Sequence, residues 1–372
     1  MRILILINND VGLYKFRREL IESMVAANHE VHISLPDGEY VKKLEDIGCI
    51  YHETKFERRS TNVKDDFKLL IYYKKIIKRI KPDVILTYTI KPNIYGGIAA
   101  NQFKIPYIMN ITGLGSTLQN KDILSMIITT LYKIACNGSK RVFFQNEPNK
   151  LFFTEEKIVN EGKTKLIPGS GVNLNFHPYE EYPVINGDLK FLFIGRLMRD
   201  KGVCELVESA KIIKSRYNNV EFNLIGQCEE EFIEEFNLLN EDNVVTWHGQ
   251  QDDVHSYIKT HHATILASYH EGMANVLLES ASSGRPVLAS KIPGCNETFD
   301  EGISGFGFEK KNIASLVEVI EKFIELPYDK KAAMGIAGRK KVEKEFDRNI
   351  IINSYMEEMG KFENELVRKN SK

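Results

Sequence analysis

Residues 262–290 constrain the fold of this chain more than any other stretch. An apolar run of strand length, 262–268, leads into the polar loop Tyr269, His270, Glu271 and Gly272, and a second apolar run, 286–290, closes the stretch. Between them Val276, Leu277 and Ala281 recur at helical spacing, and Gly284 followed by Pro286 is a stop signal. Strand, loop, helix, strand is one turn of a parallel α/β sheet. The loop opens directly onto the helix start, where unpaired N–H groups and the helix dipole attract an anion. Yet two carboxylates stand here: Glu271 in the loop and Glu279 in the helix, the latter sharing a face with Asn275 at i, i+4. Acidic groups at an anion-attracting end fit a ligand that also brings hydroxyls. A sugar nucleotide brings both, since its diphosphate needs N–H donors and cations while its diols suit carboxylate acceptors. By itself the stretch reads equally as a capped helix with two solvated glutamates, so the rest of the chain decides.

The 372 residues exceed one ordinary core and predict two domains, here 1–178 and 186–351, with a final helix, 352–372, packing back on the first. Strand-like runs over 1–7, 29–35, 83–87, 106–111, 141–145 and 165–172 alternate with helical patterns over 16–27, 64–81 and 123–135. The segment 11–14 reads as a glycine-bearing loop; without a full three-glycine fingerprint it argues against a dinucleotide. A polar stretch over 177–187 reads as a linker. The pattern restarts with strand 190–195, loop 196–202, helix 203–215 and strands 220–225 and 244–248, and ends in helices 312–326 and from 330 onward. Two Rossmann-like α/β domains facing across a cleft is the expected architecture, with ligands at the carboxyl ends of the strands.

The opening residues 1–7 are too short for a signal-peptide core and read as a first buried strand. The most apolar helical run, 123–131, is broken by Ser125, Thr129 and Thr130, so no membrane span is expected. The five cysteines are scattered, which suggests neither a disulfide framework nor a zinc site and points to a reducing cytoplasm. A net charge of −1 hides an asymmetry: residues 1–170 carry 26 Lys and Arg against 18 Asp and Glu, the remainder 24 against 33. The first half is thus expected to face something anionic, a nucleic acid or an acidic membrane surface.

The loop 195–202, Gly195-Arg-Leu-Met-Arg-Asp-Lys-Gly202, lies between a strand and a helix, so Arg196 and Lys201 project from the strand's carboxyl end. Cations in a loop are usually just solvated. A cationic loop after one strand and a carboxylate loop after another, at the same sheet end, is a less ordinary combination.

Taken together, the motifs over 195–202 and 270–279 resemble those of the retaining glycosyltransferases of family four, which share the GT-B fold of two Rossmann-like domains. The likeness extends to the sequel at 283–290 with Pro293, Gly294 and Glu297, and to the loop at Gly12. Tyr14 to Arg17 and the loop at 113–116 resemble a narrower group, which extends undecaprenyl-diphosphate-linked sugars in bacterial glycan assembly, N-acetylgalactosaminyl transfer included. The resemblance implies that Arg196 and Lys201 neutralise the leaving diphosphate and that Glu271 binds hydroxyls of the transferred sugar. It implies further that Glu279 grips the ribose and that backbone N–H groups over Gly272, Met273, Ala274, Asn275 and Val276 hold phosphate oxygens. His270 would border the sugar pocket, and Gly12 and Gly195 would leave room for the donor. The expected donor is a UDP-sugar, such as a UDP-N-acetylhexosamine, and the expected acceptor a polyprenyl-diphosphate-linked saccharide at the cytoplasmic membrane face. Many relatives carry a histidine where this chain has Thr112, so no general base is assigned.

No cofactor or metal is expected. There is no Asp-x-Asp, and Asp65-Asp66 and Asp252-Asp253 read as helix-start and surface charges. His248, His261, His262 and His270 lack metal-ligand spacing, and Trp247 reads as core. The helix over 64–81 sets Phe67, Leu70, Ile71, Ile76, Ile77 and Ile80 among Lys74, Lys75, Lys78 and other cations. It suits an ordinary packed helix or contact with anionic lipid, and with Arg17, Arg18, Arg58 and Arg59 it suits an acceptor diphosphate. Competing readings are a GT-B enzyme with a soluble or glycolipid acceptor, a nucleotide-sugar-binding module without turnover, and a nucleic-acid binder. The last is expected to show strong salt-dependent affinity for DNA or RNA and is set aside.

Overall fold

A computed structural model describes residues 1–55, 62–114 and 123–370. The chain divides into two compact units, Met1–Ser170 with Asn349–Lys372, and Gly171–Arg348.

The first unit is built on seven parallel strands: β1 (Arg2–Leu6), β2 (Glu30–Leu35), β3 (Cys49–Glu53), β4 (Val84–Tyr88), β5 (Tyr107–Ile111), β6 (Arg141–Phe144) and β7 (Thr164–Leu166). Their spatial order is β3-β2-β1-β4-β5-β6-β7. The helices are α1 (Asp10–Ala26), α2 (Val41–Asp46), α3 (Val63–Ile80), α4 (Gly97–Gln102), α5 (Ile123–Asn137) and α6 (Glu147–Glu155). Because side chains alternate along a strand, β1 feeds two cores at once. Ile3, Ile5 and, just past the strand, Ile7 join Leu13, Leu20 and Tyr355, the last from the helix Arg348–Asn370 that ends the chain. Leu4 and Leu6 join Leu69, Tyr73 and Tyr132 on the opposite face.

Two local expectations change here. Residues 11–14 are not a loop: α1 begins at Asp10, because Asn9 Oδ1 accepts the Gly12 N–H at 2.5 Å and caps the helix. The buried face of α3 is Leu69, Tyr73, Ile76, Ile77 and Ile80, whereas Phe67 and Ile71 are exposed. Strand β3 and helices α4 and α6 were not evident in the sequence. Of β3 only Cys49 is buried, so this edge strand carries no apolar alternation.

The second unit repeats the plan with β8 (Leu189–Ile194), β9 (Val220–Ile225), β10 (Thr246–Trp247), β11 (Ala263–Leu266), β12 (Val287–Ser290) and β13 (Gly305–Phe308), all parallel, in the order β10-β9-β8-β11-β12-β13. Its helices are α7 (Val203–Arg216), α8 (Ile233–Glu241), α9 (Val254–Thr260), α10 (Asn275–Ser282), α11 (Ile313–Glu325) and α12 (Tyr328–Glu345). Strand β13, Gly305-Phe-Gly-Phe308, went unread because two glycines hide its pattern. Residues 171–178 belong with this unit rather than ending the first. Val172 packs with Met273, Leu278, Val342 and Phe346, and its N–H meets the Phe346 carbonyl at 2.8 Å.

In both sheets the strand order reverses direction once, between β1 and β4 and between β8 and β11. The crevice at the carboxyl ends of such a strand pair is where open α/β sheets place ligands.

Candidate active site

At the switch point of the second unit, the loop after β8 and the loop after β11 meet. Gly202, at φ 68°, ends the first loop and leads into α7; a Cβ on it would fall on the Ala267 carbonyl oxygen. Only glycine permits both that backbone and that approach. The Tyr269 N–H then bonds the Asp200 carbonyl at 2.9 Å, and the Tyr269 hydroxyl donates to Glu205 Oε1 at 2.6 Å. Tied in this way, Lys201 Nζ lies 2.5 Å from Glu271 Oε1, and the Ser268 hydroxyl donates to the same oxygen at 2.7 Å. Both side chains are largely shielded, so this ion pair is less screened than a surface one. Glu271 Oε2 accepts no hydrogen bond among the described residues and keeps its acceptor capacity.

Arg196 is exposed on the same loop and forms no ion pair among the described residues. The loop beneath it is braced by Leu197, whose N–H meets the Gln227 carbonyl at 2.8 Å while its own carbonyl accepts the Glu229 N–H at 3.1 Å. Gly195 is contacted by Gly226, whose missing side chain (φ 143°) lets it sit against the Gly195 carbonyl. Trp247, expected simply in the core, donates from Nε1 to the Gly226 carbonyl at 3.0 Å and so helps hold this floor.

The helix start after the loop is less open than expected. The Ala274 N–H is already bonded to the Gly294 carbonyl at 2.8 Å, and the Asn275 N–H to the Met273 carbonyl at 3.0 Å. Neither is available to a phosphate in this arrangement, which leaves Met273 and Val276 of the expected set. Glu297 completes the turn by accepting the Gly294 N–H on Oε2 at 2.7 Å. The amide oxygen of Asn275 is buried without a partner among the described residues, and Glu279, one turn on, is half-buried. His270 is exposed; partial desolvation, reinforced by Lys310 and Lys311, lowers its pKa and favours the neutral ring.

The structure therefore brings Lys201 and Glu271 into contact, while Arg196, Glu279 and His270 occupy the same loops and helix without joining that contact. Ser268, Glu205 and Tyr269 are contributors that the sequence reading missed. The position of Ser268, three residues before Glu271 at a strand end, was the available signal.

The remaining candidates lie elsewhere. His248 bonds Asn223 at 2.8 Å, His261 bonds the Tyr257 carbonyl at 2.6 Å, and His262 Nδ1 accepts the Lys190 N–H at 2.9 Å. Asp253 caps α9 through Ser256, and Asp66 pairs with Lys91 at 2.9 Å. In the first unit Gly12 lies inside α1, Thr112 follows β5, and Lys74, Lys75 and Lys78 line the outer side of α3. Arg17 is buried whereas Arg18 is half-exposed. Arg58 and Arg59 lie outside the described residues.

Comparison with known proteins assigns both units. A family model described as glycosyl transferases group 1 matches residues 180–341, and one described as glycosyl transferase 4-like matches residues 2–146. Over 374 aligned residues, covering 96% of this chain and 97% of the relative, the chain is 29% identical to the N,N'-diacetylbacillosaminyl-diphospho-undecaprenol alpha-1,3-N-acetylgalactosaminyltransferase of Campylobacter jejuni. It is 27% identical over 284 residues, 70% of this chain and 71% of the other, to the UDP-Gal:alpha-D-GlcNAc-diphosphoundecaprenol alpha-1,3-galactosyltransferase of Escherichia coli. Among solved structures, Anabaena Alr3699/HepE in complex with UDP and glucose superposes with a TM-score of 0.78 at 18% identity, covering 97% of this chain and all 100% of that one. With one glycosyltransferase model on each Rossmann-like unit, and a lysine–glutamate pair at the switch point of the second, the chain belongs to the GT-B glycosyltransferases of the group 1 and 4-like family.

Proposed function

We propose that this glycosyltransferase moves a sugar, an N-acetylhexosamine by preference, from a UDP-sugar to a polyprenyl-diphosphate-linked saccharide, with retention at the anomeric carbon and without a metal ion. The observation that carries the reading is the Lys201–Glu271–Ser268 constellation at the β8/β11 switch point. Glu271 Oε2 suits a hydroxyl of the transferred sugar. Lys201 keeps further N–H donors beyond the one facing Glu271 and, with Arg196, suits the charge that grows on the departing diphosphate. As the bond from C1 to the phosphate oxygen breaks, an acceptor hydroxyl forms its bond to C1 on the same face, and its proton passes to the leaving phosphate. No enzymic nucleophile is needed. Two relatives whose names carry diphospho-undecaprenol acceptors and alpha-1,3 linkages support the acceptor class.

The acceptor class also implies a lipid surface. No described helix is long and apolar enough to cross a membrane. Helices α3 and α5 both pack against residues 92–102 and leave Phe67, Ile71, Ile123, Met126 and Ile127 exposed, with Lys75 and Lys78 exposed further along α3. Apolar side chains among cations fit peripheral docking on an anionic bilayer at the cytoplasmic face. Binding is expected to vesicles containing phosphatidylglycerol and to weaken with salt. Equal binding to neutral phosphatidylcholine vesicles, or none, would count against it.

The catalytic reading is tested with Glu271→Ala and Lys201→Ala. Each is expected to lower kcat/KM by more than about tenfold, roughly 1.4 kcal/mol of transition-state stabilisation, while remaining folded. A module that only binds nucleotide sugar has no need of such groups. Wild-type rates in both variants would remove the assignment. UDP is expected to raise the Tm more than GDP or ADP does.

A further inference from the structure

Arg17 lies in α1 with 4% of its surface exposed. Its guanidinium sits over the Tyr88 ring, Cζ 5.3 Å from the ring centre, and donates from Nη1 to the Phe16 carbonyl at 3.0 Å. No carboxylate pairs with it among the described residues, and its Nε meets no acceptor. The next residue also has an Nε without a hydrogen bond but differs in its counter-ions. Arg18 reaches Glu19 at 3.4 Å and Glu22 at 3.6 Å, and it stacks on Tyr14. A buried guanidinium without a counter-ion is costly, and a cation–π contact offsets only part of that cost.

The surroundings of Arg17 are unfulfilled too. Tyr88, the last residue of β4, is 2% exposed, and its hydroxyl lies near Arg17 and Tyr355 yet meets neither in hydrogen-bonding geometry. Asn110 of β5, 1% exposed, donates to the Tyr355 hydroxyl at 2.5 Å, while its own amide oxygen has no partner among the described residues. Immediately after Tyr88, Thr89 holds φ 67°, a backbone region that β-branched residues avoid. Natural interiors rarely leave so many polar atoms unmatched in one place. All of them gather at the carboxyl ends of β4 and β5, beside the β1/β4 switch point.

We propose that Arg17, with the Tyr88 hydroxyl, is the receptor for a phosphate-type anion, namely the diphosphate joining the acceptor saccharide to its lipid carrier. The identity of that anion rests on the acceptor class proposed above; the anion site itself does not. Arg17 Nε and the Tyr88 O–H supply donors that phosphate oxygens accept, and the Asn110 oxygen suits a hydroxyl of the same ligand. The uncompensated charge on Arg17 is thus the proposed binding determinant.

The test uses the full chain with the donor site saturated by UDP, so that inorganic pyrophosphate reports on a second site. Pyrophosphate is expected to raise the wild-type Tm further, Arg17→Met to abolish that rise, and Lys42→Met, at an exposed lysine of α2, to keep it. Without ligand, Arg17→Met is expected to melt at or above the wild-type temperature, since it removes an uncompensated cation. With a polyprenyl-diphosphate saccharide, Arg17→Met is expected to raise the acceptor KM at least tenfold and leave the donor KM within twofold. An Arg17→Met protein that keeps the wild-type pyrophosphate response overturns the site. Arg17-dependent pyrophosphate binding with an unchanged acceptor KM overturns its assignment to the acceptor. A wild-type protein that ignores UDP contradicts the donor reading instead, independently of Arg17.

Discussion

At the scale of single residues, the proposed chemistry turns on how one carboxylate is oriented. Glu271 Oε1 accepts from both Lys201 and Ser268, which fixes the plane of the group and leaves Oε2 without a donor among the described residues. Ser268 touches no proposed substrate atom, so it is a positioning residue. Ser268→Ala is expected to lower kcat by about tenfold through loss of one charge-assisted hydrogen bond of about 1.5–3 kcal/mol, with little change in Tm. Ser268→Thr, which keeps a hydroxyl, is expected to restore most of it. If both variants behave alike, the hydroxyl is not what matters. That Glu271, Lys201 and Arg196 lie on loops after strand ends was legible in the sequence, because each stands in a motif of fixed spacing between an apolar run and a helical pattern. The partnership of Tyr269 with Glu205 was not, because it joins side chains from two separated strand–helix turns.

At the scale of elements, the site depends on loops that are locked to each other rather than free. Gly202 is the lock: replacing it with alanine forces a β-carbon onto the Ala267 carbonyl in a backbone conformation that alanine resists. Gly202→Ala is expected to cost at least about 2 kcal/mol in urea unfolding and to lower activity more than stability. Unchanged kinetics would show that the Lys201–Glu271 contact survives without this approach. Arg285 does comparable work at the far end of α10. It is almost fully buried and donates to the carbonyls of Ile258, Lys259, Glu180, Glu181, Ser283 and Gly284, and burial lowers its pKa to about 10. In the sequence it was one cation after a helix-ending glycine. Nothing local shows that an arginine will satisfy six carbonyls from three segments, since those segments meet only in the fold. The same holds for α3, whose apolar residues outnumber one face; which of them are buried is set by the neighbouring sheet and by residues 92–102.

At the scale of the whole molecule, buried histidines set the response to acid. Burial lowers the pKa of His261 and of His262 to about 4 and that of His177 to about 3, against an ordinary value of 6.5. These rings are neutral in the folded chain, whereas the unfolded chain protonates them below about pH 6.5. The stability they allow is therefore complete above pH 6.5 and is lost progressively as pH falls towards 4. The urea midpoint is expected to drop between pH 7.5 and pH 5, and His262→Asn, which keeps an acceptor for the Lys190 N–H, to flatten part of that drop. A midpoint independent of pH across this window would contradict the neutral assignment. Turnover, in contrast, is expected to survive extensive treatment with EDTA if, as proposed, Arg196 and Lys201 rather than a metal ion neutralise the leaving diphosphate. Loss of activity restored by Mg2+ or Mn2+ would reverse that view.

The sequence by itself determined the two-fold repetition of strand and helix, the parallel class of both sheets, and the loops that carry the cations and the carboxylates. These follow from hydrophobic period and from glycine and proline punctuation, which act over a few residues and so can be read locally. Only the tertiary structure decided which N–H groups at the α10 start are already committed, that Ser268 orients Glu271, and that Arg17 is buried without a counter-ion among the described residues while Arg18 is paired. Those outcomes depend on which atoms from distant segments arrive within hydrogen-bonding distance once water has been excluded, and no local pattern encodes that.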